Sequence, residues 1–277
     1  MMGRETDKRV LETLDQWHKD SLPGPIELYA RLMRIQAEAK STISFDRPHL
    51  PAEAISERLR RGTPVLAYDE LQLDWGKIDS LFTEALSVIN EYFSLGPSPG
   101  TMPLQEMARA WYEGEPMSDG DEEEPLLVAL HTALKPFLAA QAEALLPYVD
   151  QSLWRRGYCP ICGSAPNLAV LRGEGGARWL VCARCDAEWR FQRLQCPFCG
   201  TKEQRSLGYF PDAQGLYRLY VCEECKGYIK GIDLRHSQSE VLIPLEWIST
   251  LDLDRQACEL GYKAGELTTT SNSEEAL

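Results

Sequence analysis

No run of about eighteen apolar residues occurs in this 277-residue chain, so nothing in it reads as a membrane-spanning helix. Met1 to Asp20 is polar and charged and lacks the apolar stretch of a signal peptide. The expected compartment is therefore the cytoplasm, where thiols stay reduced. The 4 histidines, His18, His49, His131 and His236, are far apart, and none belongs to an HExxH pattern or a nucleophilic triad. There is no phosphate-binding P-loop and no GxGxxG. These absences weigh against an enzyme. Positive charge is also short: 29 Lys and Arg stand against 42 Asp and Glu, a net charge of -13. Nonspecific attraction to nucleic acid or to an anionic membrane is not expected.

Cysteine is absent from the first 150 residues, and then 8 of the 9 arrive in one run of four CxxC pairs. Cys159-Pro-Ile-Cys162-Gly163 and Cys182-Ala-Arg-Cys185 form the first half. Cys196-Pro-Phe-Cys199-Gly200 and Cys222-Glu-Glu-Cys225 form the second. A CxxC turn brings two sulfurs to one ion, and glycine after the second cysteine permits φ > 0 and close approach of backbone N–H to sulfur. Nineteen residues separate Cys162 from Cys182 and twenty-two separate Cys199 from Cys222, close to zinc-ribbon spacing. Because knuckle, hairpin and knuckle occur twice, the expected sites are sequential. Cys159, Cys162, Cys182 and Cys185 would hold one ion, and Cys196, Cys199, Cys222 and Cys225 the other. An interleaved cross-brace pairing is the rival. Zinc and iron both suit four thiolates, and a closed site leaves no position for water.

Charge is uneven along the chain. Residues 155–235 hold 13 basic and 8 acidic side chains, a net of +5, and the remainder nets -18. Two ions bound by four thiolates each would contribute about -4. The basic excess is thus expected to serve mainly as counter-charge for sulfur.

Before the cysteines the pattern is helical. Helices are expected at Lys8–Lys19, Ile26–Lys40, Ala52–Arg60, Leu73–Phe93, Leu104–Trp111 and Leu126–Val149, with Pro136 kinking or dividing the last. Gly96–Gly100 is a breaker and the acidic stretch 114–125 a mobile loop. Strands are expected at Leu168–Leu171 with Arg178–Val181, and at Ser206–Phe210 with Leu216–Val221, each pair joined by a glycine-bearing turn. Helix returns over Leu242–Tyr262. The fold class is α+β: a mainly helical domain (1–154), two tandem rubredoxin-like or zinc-ribbon β units (155–193 and 194–240), a C-terminal helical segment (241–266) and a disordered tail (267–277). Trp189 is expected to pack the metal units, Arg193 stays open between packing and partner contact, and Cys258 is expected to be a small buried residue.

The cysteine run, together with Trp189, Arg193, Tyr228, Lys230 and Asp233, resembles the FdhE family of formate dehydrogenase accessory proteins. Tyr29–Gln36, Leu251-Asp-Leu-Asp254 and Glu259-Leu-Gly-Tyr262 extend the resemblance. It implies a cytoplasmic assembly protein that binds the immature catalytic subunit of a respiratory formate dehydrogenase before export. It also implies iron at the eight cysteines. A rubredoxin-type electron carrier and a zinc-ribbon nucleic-acid binder are the alternatives, the latter disfavoured by the net charge.

Overall fold

The structure, a computed structural model, describes residues 2–19, 22–43, 50–93, 102–115, 124–237 and 241–267. The breaker at 96–100, most of the acidic loop, His49 and the tail from Thr268 lie outside these residues. The chain divides into two compact units, one of residues 1–46 and 66–141, the other of 47–65 and 142–277.

In the first unit, apolar residues three and four apart make each helix one-sided. Helix α1 (Met2–Lys19) buries Val10 and Leu14. Helix α2 (Gly24–Thr42) begins at Pro23, with Pro25 in its first turn, where a missing N–H costs nothing. Its Leu28, Leu32 and Ile35 pack on Ala85, Val88 and Ile89 of α4 (Trp75–Phe93) and on Ala129. Helix α5 (Leu104–Glu113) ends at Gly114, which takes the left-handed conformation at φ 74°. Helix α6 (Glu124–Leu145) carries Pro136 inside it and remains one helix. The proline is not a division point, because the flanking Leu134, Phe137 and Leu138 are all buried and offset the lost hydrogen bond.

The second unit contains α3 (Ala52–Arg61), whose Ile55 and Leu59 are buried, and a seven-stranded sheet. The expected hairpins are present as β1 (Pro166–Arg172) with β2 (Ala177–Cys182), and β4 (Leu207–Pro211) with β5 (Tyr217–Cys222). Each gains a third strand directly after its second CxxC: β3 (Glu188–Phe191) and β6 (Gly227–Asp233). The two β units are not separate beads. They join in one sheet of order β3-β2-β1-β6-β5-β4, through parallel pairing of β1 with β6 from Leu168↔Lys230 to Leu171↔Asp233. A short β7 (Lys263–Ala264) pairs parallel with the start of β6. Leu168, Val170, Val181 and Ile232 form one core cluster beneath the seam, and Leu219, Val221 and Ala257 another. The fold is α+β.

The C-terminal helical stretch is two helices, α7 (Ile243–Ser249) and α8 (Leu251–Glu259), rather than one. Thr250 separates them at φ -112°, ψ 19°, and its hydroxyl donates to the Glu246 carbonyl at 2.6 Å. A threonine bonding back to the preceding turn competes with continued helix.

Candidate metal centres

Each CxxC closes as a tight turn. The Gly163 N–H donates to Cys159 O at 3.0 Å, Asp186 N–H to Cys182 O at 3.2 Å, and Gly200 N–H to Cys196 O at 3.1 Å. Gly163 and Gly200 adopt φ 75° and 76°, as their place after the second cysteine requires. The other two turns carry Asp186 (φ 56°) and Lys226 (φ 55°) at the same point, so all four knuckles end in a left-handed residue. Within the turns, backbone N–H groups reach the first sulfur of each pair: Ile161 to Cys159 Sγ and Arg184 to Cys182 Sγ, both at 3.4 Å. Phe198 and Glu224 supply the equivalent bonds to Cys196 and Cys222.

The turns gather the sulfurs into two groups. In the first, Cys159 and Cys185 lie 3.7 Å apart, and Cys162 lies 3.5 Å from both Cys182 and Cys185. In the second, Cys196 is 3.8 Å from Cys225 and Cys199 is 3.7 Å from Cys222. Within each group all four sulfurs lie within 4.8 Å of one another. A disulfide needs about 2.05 Å. Four sulfurs about 2.3 Å from a tetrahedral ion stand about 3.8 Å apart along each edge, which these spacings approach. Either group could therefore hold one tetrahedral ion.

The electrostatics of the donors fit that reading. Burial pushes the Cys159 and Cys185 thiols well up, while Cys162 lies well below the ordinary thiol value. At Cys162 burial opposes ionisation, and hydrogen bonds from the Cys159, Cys182 and Cys185 thiols overcome it. In the second group burial pushes Cys196 up and Cys199 up to about 11. Cys222 falls against the same burial, because the Cys225 and Glu224 N–H groups bond its sulfur. A buried set that stabilises one thiolate and resists the others takes up its remaining charge when a cation arrives and displaces the protons. Four sulfurs complete a tetrahedron, and so leave no coordination position for a substrate.

Other residues singled out in the sequence also find places. Trp189 on β3 is fully buried, and its ring N–H donates to Arg156 O at 2.9 Å. Arg193 is exposed and donates to Gly175 O at 3.2 Å. Cys258 is exposed, a correction: Ala257 takes the buried position on α8, and the next residue, about 100° further round a helix, turns to solvent. Gly157 has a packing reason, since a Cβ there would meet Pro197 O of the second half at 1.8 Å.

Lys230 and Asp233 carry part of the family resemblance, but their burial and partners, and one arginine-lined cavity, had no sequence signal. Lys230 on β6, a lysine only 2% exposed, donates to Asp254 at 2.7 Å and to Trp247 O at 3.0 Å. Asp233 is fully buried and accepts from Arg218 and Arg235. Five arginines, Arg155, Arg172, Arg178, Arg190 and Arg193, line one cavity.

Comparison with known proteins points one way. Residues 158–193, which contain the whole first cysteine group, match the family described as FdhE, central domain. The chain is 29% identical over 228 residues to a protein FdhE homolog of Aquifex aeolicus, covering 77% of this chain and 76% of that one. It is 27% identical over 257 residues to protein FdhE of Shigella boydii, covering 86% and 80%. With a protein FdhE homolog of Stutzerimonas stutzeri it shares 34% identity over 146 residues, 48% and 47% of the two chains. The fold is shared with the crystal structure of the FdhE protein from Pseudomonas aeruginosa, with a TM-score of 0.62, 22% identity and 94% of both chains covered.

Proposed function

We propose that this chain, one of the FdhE proteins, is a non-catalytic accessory protein that acts in the cytoplasm in forming active formate dehydrogenase, by holding the immature catalytic subunit. The observation that carries the reading is the pair of four-sulfur groups built into a single sheet. Cys159, Cys162, Cys182 and Cys185 would bind one ion and Cys196, Cys199, Cys222 and Cys225 a second, either iron or zinc. Loaded in this way, the four knuckles would be cross-linked in pairs through their sulfurs and the sheet held as a rigid docking platform. The chain's own residues then set its shape: the parallel β1–β6 seam holds the halves together, and the Gly157–Pro197 contact locks the first knuckle against the second.

Pull-down with a formate dehydrogenase catalytic subunit tests this. The metal-loaded chain is expected to enrich the subunit, and Cys159→Ser and Cys196→Ser to do so less. No enrichment above a metal-stripped control would count against the proposal.

A second reading, a rubredoxin-type electron carrier, is favoured by the backbone N–H bonds to Cys159 and Cys182, since such bonds tune the potential of iron bound to sulfur. Elemental analysis with a visible absorption spectrum separates the two. Two colourless zinc ions per chain would remove the carrier reading and leave the platform.

A further inference from the structure

A cavity of about 540 Å³ opens in the second unit beside β2 and β3, and five arginines line it: Arg155, Arg172, Arg178, Arg190 and Arg193. No acidic residue is among its lining residues. Strand ends meet at the cavity. Arg172 is the last residue of β1, Arg178 the second of β2, and Arg190 the last but one of β3, with Arg193 just beyond it.

Among the described residues, four of the five charges have no carboxylate partner. Arg172 is paired with Glu188, Nη2 to Oε1 at 3.0 Å. Glu174, the other acid of the neighbouring turn, is exposed. Arg155 donates to the carbonyls of Gln151 and Trp154, Arg193 to that of Gly175, and Arg178 to that of Gln195. Arg178 is only 4% exposed; its guanidinium faces the Phe191 and Tyr220 rings at 5.9 and 5.1 Å, and among the described residues its buried Nε has no hydrogen-bond partner. A guanidinium kept that deep, with neutral acceptors and one donor unspent, is costly on its own. An anion in the cavity would relieve both the missing counter-charge and the crowding of like charges.

We propose that this cavity is a binding site for a small phosphate-bearing molecule. Guanidinium forks match phosphate oxygens two at a time, and the charge count suits one or two phosphoryl groups. The volume is that of a small-molecule pocket, about 300–1,000 Å³. A long polyanion would have to leave the cavity and meet a chain of net charge -13.

The test is calorimetric titration of the metal-loaded full chain with inorganic pyrophosphate and, separately, ATP. Saturable binding at one site is expected. Arg190→Ala combined with Arg193→Ala should weaken it at least about tenfold, because two charge-assisted contacts are removed. Both side chains are exposed, so metal content and unliganded Tm should stay at the parent values. Arg60→Ala with Arg61→Ala, an equal charge loss on exposed positions of α3, should leave affinity unchanged. Failure of both probes to bind at millimolar concentration would overturn the proposal. So would an equal loss in the α3 variant, or tighter binding of citrate or a glutamate peptide than of either phosphate probe. The readout does not depend on docking of any client protein.

Discussion

Lys230 and Asp254 tie the sheet to its C-terminal helices. The ammonium donates to the carboxylate at 2.7 Å, and the Tyr228 hydroxyl donates to the other oxygen at 2.8 Å. Strand β6 thus sends two consecutive same-side residues to one carboxylate on α8. Burial lowers the Lys230 pKa, and the nearby Asp254 charge opposes that fall. The pair is asymmetric in exposure, with the lysine side chain at 2% and the aspartate at 31%. Asp254→Ala strands a buried cation and should cost about 3 kcal/mol. Lys230→Met leaves a carboxylate that still faces water and Tyr228, and should cost about 1 kcal/mol. Urea unfolding of the two variants checks the order; equal costs would show that the pair contributes little beyond packing.

The four knuckles offer an internal comparison. Gly163 and Gly200 take positive φ freely, whereas Asp186 and Lys226 hold it with a Cβ in place. The left-handed conformation costs a non-glycine residue about 1–2 kcal/mol. Lys226→Gly is expected to raise stability by about 1 kcal/mol, because its ion pair with Glu223 is solvent-exposed and worth little. Gly200→Ala should lower it by a similar amount. Thermal unfolding at fixed metal load measures both, and a matching sign in the two would contradict the strain argument.

Metal content gives the third test. Cys159→Ser removes one of four sulfurs from the first group and Cys196→Ser one from the second. Each variant should lose about one ion per chain by elemental analysis. Variants at Cys182 and Cys222 should reproduce the same two losses within their own groups. Ions lost crosswise, from Cys196 and Cys182 together, would mean that the sulfurs pair differently when loaded.

Glu246 supplies a pH signature. Burial pushes its carboxyl up, against the hydrogen bond donated by the Tyr217 hydroxyl at 2.7 Å. A carboxyl raised by folding binds its proton more tightly in the folded state. Its contribution is fully present below the unfolded value of about 4.3 and is lost as pH rises through the folded value. Glu246→Gln keeps an acceptor for Tyr217 and has no charge to bury. The Tm difference, variant minus parent, should therefore increase from pH 4 towards neutrality. A difference that stays flat or decreases would place Glu246 in a more hydrated setting.

The helices and hairpins were readable because their signals are local. Leu28, Leu32 and Ile35 recur at helical spacing, and the Gly173–Gly176 turn sits between two apolar runs. Strands β3 and β6 escaped because each starts right after a CxxC with no turn of its own to mark it. Trp189 and Phe191 are buried as alternate residues, a pattern only four residues long. The β1–β6 seam joins segments distant in the chain, and nothing in either segment names its neighbour. The burial of Lys230 was hidden for a related reason: nothing in its own segment names Asp254 on α8 as its partner. The cysteine groups were legible because metal-ligand spacing is a covalent constraint. The arginine cavity was not, since its five members share no spacing and come from three strand ends and two loops that only the fold brings together.

The seam between the halves has one more consequence, for symmetry. The first strand of one unit pairs with the third strand of the other, head to tail, by a step and not by a two-fold rotation. A duplicated unit joined in this way is not self-closing. It leaves two unlike borders, β3 at one end and β4 at the other, in place of two equivalent ones. The sheet is therefore polar along its width: a protein meeting the β3 border encounters Arg190, while one meeting the β4 border encounters exposed Tyr209 and Phe210 beside Pro211. Two units of the same strand plan thus present borders of different chemistry.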